Sequence, residues 1–339
     1  MSELQLIVGA SALVGVVGVY GWSRWQEARV RRTSTTTAEV RDPLFEPQVE
    51  GTAVPHKGMV SSPLPVWREA LAPSPLWECA AVMKGSVSGR QWRMASQNCD
   101  VGWRVRWIGR VEGDRWVCLD PEDDHCFTEI QGLLQLVSRA GRVTDAQLQI
   151  FAEVMQRVGV ALGAMPVLPD LKAMAQRATE LDEWSLQVDI VVGVNVNFSS
   201  IKPPLASRLL DCLVQEGIGL GEDGVCHANS AVDGIDRFTL IRQDGAPFIP
   251  LTLEHEPITG ITLLLEVART PDPVTTFREM FALAERLALL FQGQVVDDQG
   301  ERLGVGQSQA IERQLARVVG LLEAQQISAG SPWARQLFS

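Results

Sequence analysis

Two common signatures of nucleotide-binding sites are missing from this sequence of 339 residues. It contains no Gly-x-x-x-x-Gly-Lys-Ser/Thr loop for phosphate groups, and its glycine run at 217–221 follows a predicted helix. A dinucleotide-binding loop must instead follow a strand and open a helix. We therefore interpret the glycine run as a turn at the end of a helix.

Histidine is scarce, and closely paired cysteines are absent. The four histidines lie in separate segments, so their spacing predicts no nucleophile with a base and an orienting group. The six cysteines include no Cys-x-x-Cys pair and are interpreted as reduced thiols. Cys118, His125 and Cys126 stand beside an acidic run, but their spacing fits no zinc pattern. The sequence thus predicts no enzyme, no metal site, no cofactor and no small-molecule substrate.

Positive charge is also in short supply. The net charge is −11, and because the first 32 residues carry +2, the remainder carries −13. An acidic body argues against nucleic-acid binding. The stretch Trp103–Trp107 could be imagined as a stacking platform for single strands, but its aromatic and cationic residues alternate and so lie on opposite faces. We expect the tryptophans in the core and the arginines in solvent.

Charge is missing altogether from Leu4–Trp22, which is a run of nineteen residues near the N-terminus. As a helix it would rise ~28 Å at ~1.5 Å per residue, about the thickness of the hydrocarbon layer. Four arginines follow within residues 24–32, and the positive-inside rule then puts the rest of the chain in the cytoplasm. A cleaved secretory signal is disfavoured because its charge would precede the apolar core. We expect a single-pass anchor over 1–25 with a short periplasmic N-terminus.

Proline is concentrated in the next segment. Seven of the eighteen prolines fall between residues 43 and 75, with no sustained apolar period. This composition predicts a basic stub and a flexible linker over 26–75. Two α+β units are expected to follow, a Trp-rich unit over 76–182 and a last unit over 186–324. A C-terminal tail then occupies 325–339.

Hydrophobic periods predict helices and strands in both units. In the first unit, Thr144 is expected to cap a helix that ends at Gly163, and Asp170 to cap another. The run Ile130–Met165 parallels the later run Ile261–Val295. In each run a strand leads through a turn into a long helix and a further apolar segment. This parallel predicts a degenerate internal repeat.

The last unit resembles the C-terminal domain of the bacterial ZipA cell-division family. The resemblance is carried by a colinear set of segments: Asp189–Val196, Leu209–Gly217, Arg237–Ile241, Gly260–Val267, Phe277–Gly293 and Gln294–Arg302. It implies a six-stranded antiparallel sheet with three helices on one face. It also implies that the open face binds the C-terminal peptide of the tubulin-like division GTPase FtsZ, at the septum and on the inner membrane. Asp223 departs from the family, which tends to have an apolar groove residue there.

The two-residue period of a strand separates the two faces of this sheet independently of the resemblance. One alternating set is almost wholly apolar and must lie under the helices. The other set has aliphatic residues among polar ones, which suits an amphipathic partner helix. We predict that the partner binds the residues of this second set: Val191, Thr239, Ile241, Gln243, Thr262, Leu264 and Glu266.

Two other interpretations stay open. The chain could be a membrane scaffold that recruits a different division or envelope protein through the unit at 76–182. It could also be an RNA-binding tether, because antiparallel sheets backed by helices occur in RNA modules. That second class needs stacking aromatics on the open face, and the predicted face contains none.

Overall fold

The computed structural model describes residues 70–97, 99–111, 115–119, 126–199, 201–229, 236–250 and 252–339. The predicted anchor at Leu4–Trp22 and most of the predicted linker lie outside these residues. Within the described residues, no helix is long and apolar enough to cross a lipid bilayer.

Helices and strands are mixed along the described chain. The first half contains β1 (Glu78–Ser88), α1 (Gly89–Ala95), β2 (Val105–Val111), β3 (Arg115–Cys118), β4 (Cys126–Gln135), β5 (Val137–Ser138), β6 (Gly141–Arg142), α2 (Asp145–Leu162) and α3 (Leu171–Val188). The second half contains β7 (Val191–Asn197), α4 (Ala206–Gln215), β8 (Ile218–Leu220), β9 (Cys226–Asn229), β10 (Asp236–Arg242), β11 (Gly260–Glu266), α5 (Pro273–Leu290), β12 (Gln294–Val296), α6 (Val305–Ala324) and α7 (Pro332–Leu337). The predicted α+β class is confirmed.

Side-chain caps begin helices α2 and α3, and a glycine ends α2. The Thr144 hydroxyl accepts a hydrogen bond from the Gln147 amide, and the Gln147 side chain accepts one from the Thr144 amide, which forms a capping box. Helix α2 ends at Gly163, whose φ of 65° is left-handed and favours glycine. The Asp170 carboxylate accepts a hydrogen bond from the Lys172 amide at the start of α3. These predicted helix ends are confirmed.

Helix α3 runs without interruption through residues 182–186, where the sequence analysis put the boundary between the two units. Its Leu181 and Val188 are buried. The helix packs against α2 on one side and α6 on the other. Buried residues of both halves therefore share one hydrophobic cluster.

Each half contains one larger antiparallel sheet. The first has the strand order β1-β4-β2-β3, and the second has the order β12-β7-β11-β10-β9-β8. Helix α5 packs directly on β7, β10, β11 and β12 through buried residues that include Phe277, Met280 and Phe281. Helix α4 packs against β8, and α6 packs on α5. The six antiparallel strands expected from the resemblance are confirmed.

The two halves share an order of elements after their long central strands. Strand β4 leads into α2, and Val167 then pairs with Val82 at the edge of β1 through backbone hydrogen bonds of 2.8 and 2.9 Å. Strand β11 leads into α5, and β12 then pairs with β7. An internal repeat would produce the same order of elements in both halves. The order agrees with a repeat but does not test it, so the repeat stays a prediction.

Arg106 in β2 differs from its predicted environment. Trp107 faces the core as expected, but Arg106 makes a two-point ion pair with Glu78 at 2.6 and 2.8 Å. The Glu78 side chain is 1% exposed. The prediction of a solvated arginine was wrong here, because the Leu71 carbonyl and the Trp333 ring cover that end of β2.

The C-terminal tail docks on the body of the protein. Phe338 is 2% exposed, and its ring centroid lies 6.1 Å from that of Trp184 in α3. Arg104 donates hydrogen bonds to the hydroxyl and the carbonyl of Ser339. The tail therefore spans from the second half of the chain to the first sheet.

Arg139 joins the two halves of the protein. It lies in the turn between β5 and β6, and its guanidinium donates to both carboxylate oxygens of Asp189 at 2.7–3.0 Å. It also lies 3.0 Å from Glu266 at the end of β11. The Arg139 side chain is 8% exposed. Two carboxylates of the second half thus depend on one buried cation of the first half.

We expect Arg139→Met to lower the free energy of unfolding by about 3 kcal/mol, because removing one partner of a buried ion pair leaves the other uncompensated. Urea unfolding of the full chain in detergent measures this loss. Arg142→Met is the matched control in the same hairpin, where Arg142 is exposed, and it should change stability by less than about 0.5 kcal/mol. Equal losses in the two variants would contradict the assignment.

Candidate functional site

The cross-strand register of the second sheet creates a face that points away from α5. Directly opposed residues form two rows across its centre, Thr239–Leu264–Gly193 and Ile241–Thr262–Asn195. Because successive residues of a strand point to opposite sides, their neighbours Leu240 and Leu263 point under the helices. Both are 0% exposed. The two faces of the sheet are thus separated as the alternation predicts.

The predicted partner-binding residues all lie on this open face: Val191, Thr239, Ile241, Gln243, Thr262, Leu264 and Glu266. Leu264 is less exposed than expected, at 7%. The reason is Gly193 beside it, which has no side chain, so Leu264 leans over the space. A Cβ atom built on Gly193 would lie 3.6 Å from Leu264 Cδ2. Leu264 therefore forms the floor of the face, whereas Ile241 and Val191 are half-buried.

A series of side-chain hydrogen bonds, which the sequence did not predict, crosses one side of the face. The Thr262 hydroxyl donates to Asn195 Oδ1 at 2.6 Å, and Asn195 Nδ2 donates to Asp298 Oδ1 at 2.7 Å. Asn195 is 5% exposed. Burial raises the pKa of Asp298, and the hydrogen bond from Asn195 offsets part of that shift. This series of hydrogen bonds orients three polar side chains along the β12 side of the floor.

His227 extends the row of Thr239 towards the other edge of the sheet. Its Nδ1 lies 2.9 Å from Asp236 and its Nε2 lies 3.2 Å from Asp223. Burial lowers the pKa of His227, but the hydrogen bonds and charges of Asp236 and Asp223 outweigh burial, and the net pKa is raised. Asp223 thus pairs with His227 where the family tends to have an apolar residue. The sequence carried no local signal for this pair, because Asp223 lies in a turn and His227 in β9 rather than on one helix.

A pocket opens at the Glu266 end of the face. Its lining includes Thr239, Leu264, Glu266, Arg269 and Arg335. Arg335 belongs to α7, so the C-terminal tail forms one wall of this pocket. Among the described residues, no group of three or more His, Cys, Asp or Glu side chains is placed to hold a metal ion. The open face is therefore an aliphatic floor with a charged rim.

This part of the chain is similar to a known protein family. Residues 191–314 match the family model described as the ZipA C-terminal FtsZ-binding domain. The matched segment begins at the first residue of β7, ends within α6 and contains the whole open face. A comparison with curated proteins finds no match to the chain.

We expect the stabilising effect of His227 to depend on pH. Because its folded pKa is raised above 6.5, its contribution is fully present below that ordinary value and is lost as pH rises through the folded pKa. The stability difference between wild type and His227→Gln should therefore be larger at about pH 5.5 than at about pH 9. Urea unfolding at the two pH values measures this difference. His255→Gln, at an exposed position, is the control and should show no such trend; a pH-independent difference for His227→Gln would contradict the assignment.

Proposed function

Because residues 191–314 match the family model of the ZipA C-terminal FtsZ-binding domain, we propose that this chain is a cell-division protein that binds FtsZ. The family match carries the proposal, since it includes every strand of the six-stranded sheet. The matched family is a protein-binding one, so the proposed role needs no catalytic step.

We infer that the C-terminal peptide of FtsZ binds the open face as an amphipathic helix. The support is the chemistry of the face, where Leu264 forms an aliphatic floor and Ile241 and Val191 stand half-buried around it. An amphipathic helix can lay its apolar side on such a floor. Because Ile241 and Val191 are half-buried and Leu264 is 7% exposed, each contributes less than the ~1.5–3 kcal/mol gained by burying a fully exposed aliphatic side chain.

The N-terminal segment would hold this face at the membrane. The anchor at Leu4–Trp22 and the linker over 26–75 precede the first sheet, where the Ala70 amide donates a 3.0 Å hydrogen bond to the Trp116 carbonyl. In this proposal the chain crosses the bacterial inner membrane once and its folded part is cytoplasmic. FtsZ polymers carry many identical tails, so many anchored copies would raise the effective concentration of binding sites.

We expect Leu264→Asp to weaken binding of a labelled FtsZ C-terminal peptide by at least about tenfold, because a carboxylate replaces the apolar floor. Fluorescence anisotropy with the full chain in lipid nanodiscs measures the affinity. Leu289→Asp is the matched control on α5, where Leu289 is 84% exposed, and it should bind as wild type does.

A second substitution, Gly193→Ala, tests the same face in case Leu264→Asp unfolds the protein. In Gly193→Ala the new methyl group lies at an ordinary contact distance of 3.6 Å from Leu264 Cδ2, so the sheet accommodates it while the floor rises. We expect binding to weaken by about threefold. A wild-type chain that does not bind the peptide, or equal affinities for wild type and both floor variants, would refute binding on this face.

Deleting residues 2–25 should release the protein from the membrane fraction, because the apolar run that matches the hydrocarbon thickness is removed. Fractionation of bacterial cells followed by immunoblotting measures the distribution. Replacing 4–22 with an unrelated apolar sequence of equal length is the control and should retain the protein at the membrane. If the deleted form stayed in the membrane fraction, this anchor would be the wrong one.

A further inference from the structure

Most charges around the pocket at the Glu266 end of the open face are already paired. Glu266 lies 3.0 Å from Arg139 and 2.9 Å from Arg269. Asp236 lies 2.9 Å from His227, and Arg237 is paired with Glu279 on α5. The carboxylates of the pocket are thus neutralised by neighbouring cations and do not need a further one.

Arg335 is a cation of this pocket that has no carboxylate partner among the described residues. Its Nη1 donates to the Gly330 carbonyl, and among the described residues no carboxylate lies within ion-pair distance of it. In the same pocket, Arg269 Nε is buried and has no hydrogen-bond partner among the described residues. A buried donor without a partner is costly. Arg335, which has no carboxylate partner among the described residues, points to an anionic acceptor that the pocket can receive.

We propose that this pocket binds a carboxylate of the peptide that docks on the open face, an inference that rests on the proposed function. Arg335 is the main contact, and Arg269 and Thr239 line the same pocket. A guanidinium matches a carboxylate in shape and can donate two parallel hydrogen bonds to it. The carboxylate belongs to an acidic side chain or to the C-terminus of the peptide.

The position of the pocket favours a peptide over a free anion or a lipid phosphate. Leu264 lines the pocket and also lies in the central row of the face, so a peptide that covers Leu264 ends within reach of Arg335. The chain beyond residue 32 carries a net charge of −13, which opposes an anionic lipid surface. An apolar floor alone accepts a helix in either direction, whereas a cation at one end selects one direction.

The pocket depends on a segment outside the matched family region of 191–314. Arg335 lies on α7, which is held in place by the burial of Leu337 and Phe338, at 1% and 2% exposed. The tail thus adds a specificity contact to a face built by the matched domain.

The test measures coupling between Arg335 and the peptide carboxylates. The full chain in nanodiscs is titrated with the FtsZ C-terminal peptide, with its C-terminally amidated form, and with a form whose Asp and Glu are replaced by Asn and Gln. Arg335→Gln should weaken binding of the unmodified peptide by about fivefold. One of the two neutralised peptides should bind wild type about fivefold more weakly than the unmodified peptide does. With Arg335→Gln, that neutralised peptide and the unmodified peptide should bind with nearly equal affinity.

Two controls separate a direct contact from a structural effect. Arg317→Gln, at an exposed position of α6, should bind as wild type and keep its sensitivity to neutralisation of the peptide. Arg335→Lys retains the charge but cannot donate two parallel hydrogen bonds to one carboxylate. Compared with Arg335→Gln, it should regain most of the affinity and part of the coupling. If Arg335→Gln fails to fold, Arg335→Lys provides the coupling measurement, because neutralisation of the peptide should cost this variant less affinity than it costs wild type.

The outcomes distinguish this inference from the function on which it rests. If wild type binds none of the peptides, the proposed function fails. If it binds them but neutralisation costs the same with and without Arg335, only the carboxylate contact is refuted. If peptide affinity is unchanged by neutralisation, yet inorganic phosphate at about 10 mM shifts the stability of wild type and not of Arg335→Gln, the pocket is assigned to a free anion, which also refutes the proposal.

Discussion

The antiparallel register of β7, β11 and β10 is the constraint on which the site depends. A strand shifted by one residue would exchange its faces, burying Thr262 and exposing Leu263. Close backbone approaches help to hold the register. A Cβ on Gly293, just before β12, would lie 2.5 Å from the Asn197 carbonyl oxygen, so only glycine fits where the chain joins the edge of β7. The aliphatic floor and the helix-covered core are two consequences of one alignment.

The floor is built by the matched domain, but two cations of its charged end come from outside residues 191–314. Arg139 comes from the first half of the chain and holds Glu266, and Arg335 comes from the tail. Helix α3 passes between the halves and packs against α2 and α6. The extra unit and the tail therefore act on the electrostatics of the open face, because they bring cations to one of its ends.

Polar groups around the face are held by one another. On the β12 side, hydrogen bonds from Thr262 through Asn195 to Asp298 orient the side chains. On the opposite side, the carboxylates of Asp223 and Asp236 orient the His227 ring. Such preorganised rims contribute more to the choice and direction of a partner than to its affinity. The half-buried Ile241 and Val191 between them supply most of the aliphatic area that a partner helix can bury.

Capping and strand alternation depend on residues within four positions of each other, which is why the sequence alone determined the ends of α2 and the open face with Leu264 on it. Contacts between distant segments had no such local signal. Only folding brings together the partners of three such contacts. These are the position of Arg335 in the pocket, the ion pair of Arg139 with Asp189 and the burial of Arg106 against Glu78. Local sequence decided which side of the sheet is open, and the tertiary structure decided which charges surround it, because ion pairs form between neighbours in space rather than along the chain.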